Sequence, residues 1–252
     1  MDTIARERKE LRMERGDKEA EAIIRQEYYC DFDADIPGAY YGELIHSAEV
    51  NGRIGEFPHI IGQPVGTAWD IGIGDSTVIW FYQLIGGKVR IINVLEGSGV
   101  GLEWYVKKLL ALDYVYGEHI WPHDGAQQEW GSGQSRVQVA SQYGFRPRIL
   151  ERDSVDDGIQ SVRMMLPATE FNMAPEPFPG ETADEARARM VRALDAIRQY
   201  RREYDEKLQR FKDKPLHDWT SHFADALRYL AKGRKPFRGT ETARRHAPQS
   251  AV

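Results

Sequence analysis

A pair of adjacent glycines between two apolar segments constrains the fold of this chain most strongly. Gly86 and Gly87 separate residues 76–84 from residues 88–95, and both segments are rich in β-branched and aromatic side chains. Glycine adopts the backbone angles of a tight two-residue hairpin, so the pattern predicts two antiparallel strands. Residues 67–71 read as a further strand just before them. Together these segments predict an antiparallel meander of three consecutive strands.

Helical and strand patterns alternate after the meander. Apolar residues recur at helical or strand spacing, which predicts helices at residues 101–112, 137–143 and 155–166 and strands at residues 119–121 and 148–150. This order predicts an α/β fold, a mixed sheet in which parallel strands extend the meander and helices cover both faces. In this topology the strand at 119–121 lies parallel to the strand at 67–71.

Two of the predicted strands end in an aspartate. Asp70 closes the strand at 67–71, and Asp124 follows the strand at 119–121. An unpaired buried carboxylate is costly, so an acid at the end of a buried strand needs a reason. Because the two strands are expected side by side, both carboxylates should emerge at the same edge. Each could instead be a turn residue, since Gly72 follows Asp70 closely and Gly125 follows Asp124.

A third aspartate lies in the last predicted helix, which ends near residue 231. Asp225 shares a helix face with His222 and Arg228 at spacings of three residues. One interpretation is a solvated face with an Asp225–Arg228 ion pair. The other is an acid held over the sheet edge beside the two strand-end acids. Three carboxylates suit Mg²⁺ or Mn²⁺, and two such ions can stabilise both the attacking and the leaving oxygen in phosphodiester hydrolysis.

Several neighbouring residues are candidates for auxiliary roles. Asp75 could add a second acid near a metal or cap a turn, and His123 could bind metal or phosphate or be a structural histidine. His222 could flank a phosphate path. Cations that could contact DNA phosphates, or simply belong to a soluble tail, are Arg228, Lys232, Arg234 and Lys235.

Composition limits the classes of function. The chain has 252 residues, 41% of them hydrophobic, which is enough for a sizeable core. A net charge of −5 means that any nucleic-acid binding depends on local patches. A single cysteine excludes an intrachain disulfide and a cysteine-rich zinc site. There is no phosphate-loop motif for ATP and no apolar run of membrane-spanning length, so neither an ATP site nor a membrane is expected.

Several motifs, in this order along the chain, resemble the large terminase subunit of tailed bacteriophages. They lie at residues 67–72 (TAWDIG), 75–81 (DSTVIWF), 122–126 (PHDGA) and 217–229 (HDWTSHFADALRY), with linker-like segments at 27–32 and 38–41. The resemblance covers most of residues 20–232 and only the nuclease half of such proteins. It implies a ribonuclease-H-like nuclease in which Asp70, Asp124 and Asp225 bind one or two Mg²⁺ or Mn²⁺ ions.

The resemblance also implies a biological setting. Such a nuclease cuts concatemeric viral double-stranded DNA during genome packaging, in the host cytoplasm and transiently at the procapsid. Its partners would be the terminase ATPase domain, the small terminase subunit and the portal. An alternative is a non-catalytic docking module that binds portal, small subunit or DNA. A resolvase or integrase on the same fold is a third, weaker alternative.

These patterns predict three regions. Residues 1–65 are expected to be an N-terminal helix and linker, residues 66–232 the ribonuclease-H-like nuclease domain, and residues 233–252 a basic flexible tail. A proline-rich loop is predicted at 172–181. Apolar and long side chains then recur at steps of four and three, which predicts one long helix over residues 182–212.

Overall fold

The structure is a computed structural model, and it describes residues 9–13, 16–17, 20, 36–72, 76–126 and 135–234. A mixed sheet of seven strands organises this part of the chain. The strands of this sheet are Ile54–Gly55 (β1), Val65–Asp70 (β2), Ser76–Ile85 (β3), Lys88–Ser98 (β4), Tyr116–Trp121 (β5), Pro147–Ile149 (β6) and Thr169–Asn172 (β7). Their spatial order is β1-β7-β4-β3-β2-β5-β6. The meander β2-β3-β4 is antiparallel and the other neighbours are parallel. The predicted mixed sheet is therefore confirmed.

Helices cover both faces of the sheet, as predicted. They are Gly42–Val50 (α1), Leu102–Leu110 (α2), Arg136–Gln142 (α3), Val155–Met165 (α4), Ala183–Gln199 (α5) and Ser221–Gly233 (α6). On one face, α1, α4, α5 and α6 pack around a core that includes Trp80. On the other face, α2 and α3 pack around a core that includes Trp69 and Phe81. Within the described ranges, no helix is both long and apolar enough to span a membrane.

The hairpin glycines have the backbone angles that the sequence suggested. Gly86 and Gly87 have φ values of 57° and 84°, in the left-handed region that a tight hairpin turn requires. The turn joins β3 to β4, which pair over their whole lengths.

The parallel neighbours β2 and β5 create the edge where the site lies. Thr67 pairs with His119 and Ala68 with Ile120, so both strands run in the same direction side by side. Asp70 is the last residue of β2, and Asp124 lies in the turn directly after β5. The prediction that both acids emerge at one edge of the sheet is confirmed.

Two strands of this sheet were not predicted. β7 lies between the helix predicted at 155–166 and the loop predicted at 172–181, and all four of its residues are buried. β1 pairs with it, with Ile54 opposite Phe171. Because α1 packs on the same core and β1 extends the sheet, residues 42–55 belong to the sheet domain. A domain boundary at residue 65 therefore falls inside the fold. Much of the N-terminal segment predicted to be helical lies outside the described residues.

The single long helix predicted over residues 182–212 is wrong beyond residue 199. α5 ends at Gln199, and a hairpin of Arg202–Asp205 (β8) and Arg210–Pro215 (β9) follows. Tyr204 and Phe211 face each other across this hairpin, with ring centroids 5.1 Å apart. Apolar side chains seven residues apart fit one helix face, but they also pair across a hairpin, and the sequence pattern does not distinguish the two.

Local polar contacts close this second hairpin. The Asp205 carboxylate accepts hydrogen bonds from the backbone N–H groups of Lys207 and Leu208. Asp side chains commonly stabilise turns in this way. The predicted basic tail begins at residue 233, where Gly233 still packs against Ile120. Residues 235–252 lie outside the described part of the chain.

Candidate active site

Asp70 lies at the end of β2 and is largely buried. Its Oδ2 atom lies 2.9 Å from Nδ1 of His222 at the start of α6, and 15% of the Asp70 side chain is exposed. Burial raises the pKa of Asp70 to about 6, although the hydrogen bond to His222 opposes this rise. The negative charge of Asp225 raises the pKa further. Asp70 and Asp225 therefore lie within electrostatic reach of each other.

Contacts between α6 and the sheet place Asp225 there. The indole N–H of Trp80 on β3 donates to the backbone oxygen of Phe223 at 2.9 Å. Phe223, Leu227 and Leu230 are fully buried on the side of α6 that faces the core. Asp225 lies on the part of α6 that does not face this core, and its side chain is partly exposed.

An ion pair between Asp225 and Arg228 forms within α6. Nε and Nη2 of Arg228 donate to Oδ1 of Asp225 at 3.1 and 2.6 Å. Burial alone would lower the pKa of Arg228, but the Asp225 carboxylate outweighs this effect and raises it. Arg228 packs against Gly158 of α4, where a Cβ atom would lie 3.0 Å from Cδ of Arg228. The ion-pair interpretation is thus realised, but the arginine is buried instead of solvated.

Asp124 lies in a turn at the end of β5 and is partly exposed. The turn is closed by a hydrogen bond from Gly125 N–H to the Pro122 oxygen at 2.9 Å. Tyr229 of α6 lies within reach of the charges of Asp124 and of the other two acids. Burial raises the pKa of Tyr229, and the charges of Asp70, Asp225 and Asp124 raise it further. All three predicted acids therefore lie within electrostatic reach of one tyrosine.

The donor chemistry of these residues fits a hard divalent ion, whereas their present arrangement does not form a coordination shell. Carboxylate oxygens from three separate segments are suitable ligands for Mg²⁺ or Mn²⁺. Within the described residues, however, no group of three or more His, Cys, Asp or Glu side chains is placed to hold a metal. Asp70 contacts His222 and Asp225 contacts Arg228 instead. Asp75, the predicted auxiliary acid, lies outside the described residues.

A cleft of about 510 Å³ opens beside these residues. His123 lines it, together with parts of α4, α6 and the loop between β6 and α4. The lining residues are His123, Leu150, Glu151, Arg152, Asp153, Ser154, Val155, Gly158, Arg228, Tyr229 and Lys232. The cleft is thus bordered by both cations and acids, close to Asp225 and Tyr229.

The predicted DNA-contacting cations have different environments. Arg228 is buried against Asp225, whereas Lys232 is exposed on the cleft and pairs with Asp153. Arg234 directly follows α6 and is partly buried, and Lys235 lies outside the described residues. Arg228 and Lys232 are therefore brought together at the cleft.

Two residues of the site were missed by the sequence analysis. Tyr229 lies four residues after Asp225, on the same helix face, and this spacing was the available signal. Gly158 allows Arg228 to pack closely against α4. No local pattern marks it, because its role depends on how two helices cross.

Comparison with solved structures shows a related fold. The chain is similar to the large terminase of a thermophilic bacteriophage, solved in complex with ADP, with a TM-score of 0.55 and 17% identity over 75% of this chain. It is also similar to the large terminase nuclease of thermophilic phage G20c, with a TM-score of 0.50 and 12% identity over 79% of this chain. The matched region is 44% of the ADP-bound large terminase and 100% of the G20c nuclease chain.

Sequence comparisons add nothing to this likeness, since no protein-family model and no curated protein matches the chain. At these identities the structural likeness concerns the fold. The chain therefore has the ribonuclease-H-like fold of the large terminase nuclease domain, as its sequence motifs suggested.

Proposed function

We propose that this chain is the nuclease domain of a phage large terminase and hydrolyses phosphodiester bonds of double-stranded DNA with Mg²⁺ or Mn²⁺. The observation that supports this most strongly is that Asp70, Asp124 and Asp225 all lie within electrostatic reach of Tyr229 at one edge of the sheet. These acids come from two parallel strands and one helix. A largely buried acid at a strand end, as Asp70 is, is costly for stability, and a bound cation would offset that cost.

In this proposal the three aspartates hold one or two ions. When bound, such ions activate water and neutralise charge on the reacting phosphate oxygens. The His222 ring keeps the Asp70 carboxylate oriented through its Nδ1 contact. Phe223, Leu227 and Leu230 anchor α6 on the core and so hold Asp225 in place.

The DNA strand would lie in the cleft beside Tyr229. Lys232 and Arg152 line this cleft, and their charges suit phosphate oxygens. Such contacts are independent of base sequence, so we expect little sequence preference from this domain. Because the chain as a whole carries a negative charge, DNA binding would depend on such local cations.

The setting follows from the same proposal. The domain would act with a terminase ATPase domain, the small terminase subunit and the portal, in the host cytoplasm at the procapsid. It would cut concatemeric DNA there during packaging. The chain aligns with 44% of the ADP-bound large terminase. In this proposal the motor function would belong to the part of a large terminase that the chain does not match.

Plasmid cleavage tests the proposal. The full chain is incubated with supercoiled plasmid in Mg²⁺, Mn²⁺ or EDTA, alongside Asp70→Ala, Asp124→Ala and Asp225→Ala. We expect metal-dependent nicking or linearisation that each of these variants lacks. Asp113→Ala is the matched control, because Asp113 is exposed and lies before β5, at the end of that strand opposite Asp124. Cleavage retained in Asp70→Ala would remove Asp70 from the site.

One observation favours a second candidate function, the docking module. The acids lack a metal-ready arrangement in the part of the chain that is described. If the full chain neither cleaves DNA nor binds Mn²⁺ in calorimetry, docking to DNA or to a packaging partner becomes the better explanation. Mn²⁺ binding that disappears in Asp124→Ala supports the nuclease.

A further inference from the structure

Arg228 lies between two cavities. It lines the 510 Å³ cleft, and it also lines a smaller cavity of about 130 Å³ together with Asp225 and His217. Both of its hydrogen bonds to Asp225 go to the same oxygen, Oδ1. The guanidinium is therefore placed between a proposed metal ligand and a proposed DNA path.

We propose that Arg228 exchanges partners when metal binds. In the metal-free protein it neutralises Asp225, and a divalent ion that takes Asp225 releases the guanidinium to a DNA phosphate in the cleft. This inference rests on the proposed nuclease function and deepens it, because it predicts that metal binding and DNA binding assist each other through one residue.

Electrostatics support the exchange. A divalent ion on Asp225 would lie close to the positive charge of Arg228, and two cations repel strongly where little water screens them. The Arg228 side chain is only 10% exposed, so water offers little compensation. A planar guanidinium released from a carboxylate binds a phosphate with the same paired N–H groups.

In this exchange Tyr41, which lies near the Arg228–Asp225 pair, would become a further partner of Asp225. Its hydroxyl is buried and, among the described residues, has no hydrogen-bond partner. The charges of both Arg228 and Asp225 act on it, so it lies near the pair. A buried hydroxyl without a partner is costly, and donation to Asp225 in the metal-bound state would satisfy it.

Calorimetric titration of Mn²⁺ into the full chain tests the first half of the exchange. Arg228→Gln removes the competing charge and is expected to tighten Mn²⁺ binding by about tenfold or more. Arg198→Gln is the matched control, because Arg198 also pairs with an aspartate three residues earlier, Asp195. We expect this control to stay within about twofold of the unmodified chain. Unchanged or weaker Mn²⁺ binding in Arg228→Gln would overturn the exchange.

DNA affinity with and without Ca²⁺ tests the second half. Fluorescence anisotropy with a labelled duplex is measured in Ca²⁺ or EDTA, and electrophoresis verifies that the duplex stays intact. Ca²⁺ is expected to tighten DNA binding at least about fivefold in the unmodified chain and less than about twofold in Arg228→Gln. An equal Ca²⁺ effect in both proteins would contradict the release of Arg228.

An unmodified protein gives a third readout in case Arg228→Gln does not fold. The Nε–H resonance of Arg228 is followed by NMR during Mg²⁺ titration, with Arg198 as the internal reference. A shift or faster exchange at Arg228 alone is expected, and no change at Arg228 in a protein that binds Mg²⁺ would refute the proposal.

These experiments distinguish a failure of the Arg228 exchange from a failure of the proposed nuclease function. If the unmodified chain binds metal and cleaves DNA but Arg228→Gln gains no metal affinity, only the exchange fails. A chain that neither binds metal nor cleaves DNA would instead remove the nuclease function itself, and the exchange with it.

Discussion

Nδ1 of His222 lies 2.9 Å from Oδ2 of Asp70, and this contact ties the first turn of α6 to the end of β2. The contact does not fully offset the burial of Asp70, because the pKa of this carboxyl is still raised to about 6. The folded state therefore binds a proton more readily than the unfolded chain does. Above this pKa, the buried charge lowers the stability of the metal-free protein.

The Asp70→Asn variant should separate stability from function. Near neutral pH we expect it to raise the free energy of unfolding of the metal-free protein by about 1–2 kcal/mol, because a neutral amide is less costly to bury. It should also abolish stabilisation by Mn²⁺. Urea denaturation with and without Mn²⁺ measures both effects, and Asp113→Asn is the control. A variant that keeps the Mn²⁺ effect would exclude Asp70 as a ligand.

His119 should contribute to stability with the opposite dependence on pH from Asp70, because its buried ring loses stability in mild acid. Oγ1 of Thr67 lies 2.7 Å from Nδ1 of this histidine and accepts a hydrogen bond from the Trp69 indole at 2.8 Å. Burial lowers the pKa of His119 from 6.5 to about 4. As the pH falls, His119 is therefore protonated in the unfolded chain before it is protonated in the folded protein. The contribution of neutral His119 to the stability of the folded protein is complete above about pH 6.5 and is lost as the pH falls through about 4.

The loss should reach roughly 3 kcal/mol, the free energy that corresponds to this change in pKa. Urea unfolding across this range measures it, with His119→Gln as the comparison. The variant removes the titrating group but keeps Asp70, so the stability of the unmodified chain should fall relative to that of the variant as the pH falls from about 6.5 to about 4. Parallel pH profiles of the two proteins would contradict this assignment.

Gly66 of β2 should not tolerate a side chain. A Cβ atom there would lie 2.6 Å from Cε1 of the buried Tyr82 ring on the paired strand β3. Gly66→Ala is therefore expected to destabilise the protein by roughly 2–3 kcal/mol, since the core must shift the ring. Thermal unfolding measures it. Gly42→Ala is the control, because its Cβ would meet ordinary contacts of 3.5 Å or more and should leave stability nearly unchanged.

The turn between β3 and β4 should accept asparagine but not valine. Gly86 has a φ of 57°, a conformation that asparagine adopts readily and β-branched residues do not. Gly86→Asn is expected to stay within about 0.5 kcal/mol of the unmodified chain, and Gly86→Val to lose about 1–2 kcal/mol. Denaturant unfolding compares the two. Equal stability of the two variants would show that the turn relaxes to another geometry.

Local signals accounted for the centre of the fold and for the acids at its edge. Gly86 and Gly87 required a turn, and the β-branched residues beside them required strands. The parallel placement of β5 beside β2 followed from the order of elements, and it brought Asp70 and Asp124 to one edge. These features depend on backbone preferences within a few residues and on simple rules of connection.

The tertiary structure decided which segments of the chain pair with each other. A spacing of seven residues allowed Tyr204 and Phe211 to share a helix face, yet they pair across a hairpin. The short strand β7 is recognisable only once β4 and β1 lie beside it.

Arg228 illustrates the same limit at the site. The sequence placed it three residues after Asp225 and left open a contact with DNA or with that acid. Burial against Gly158 of α4 turned it toward Asp225. The sequence by itself determined which residues reach the sheet edge, because that depends on local backbone pattern and strand order. Only the tertiary structure determined which charges neutralise each other there, because that depends on burial and on neighbours distant in the chain.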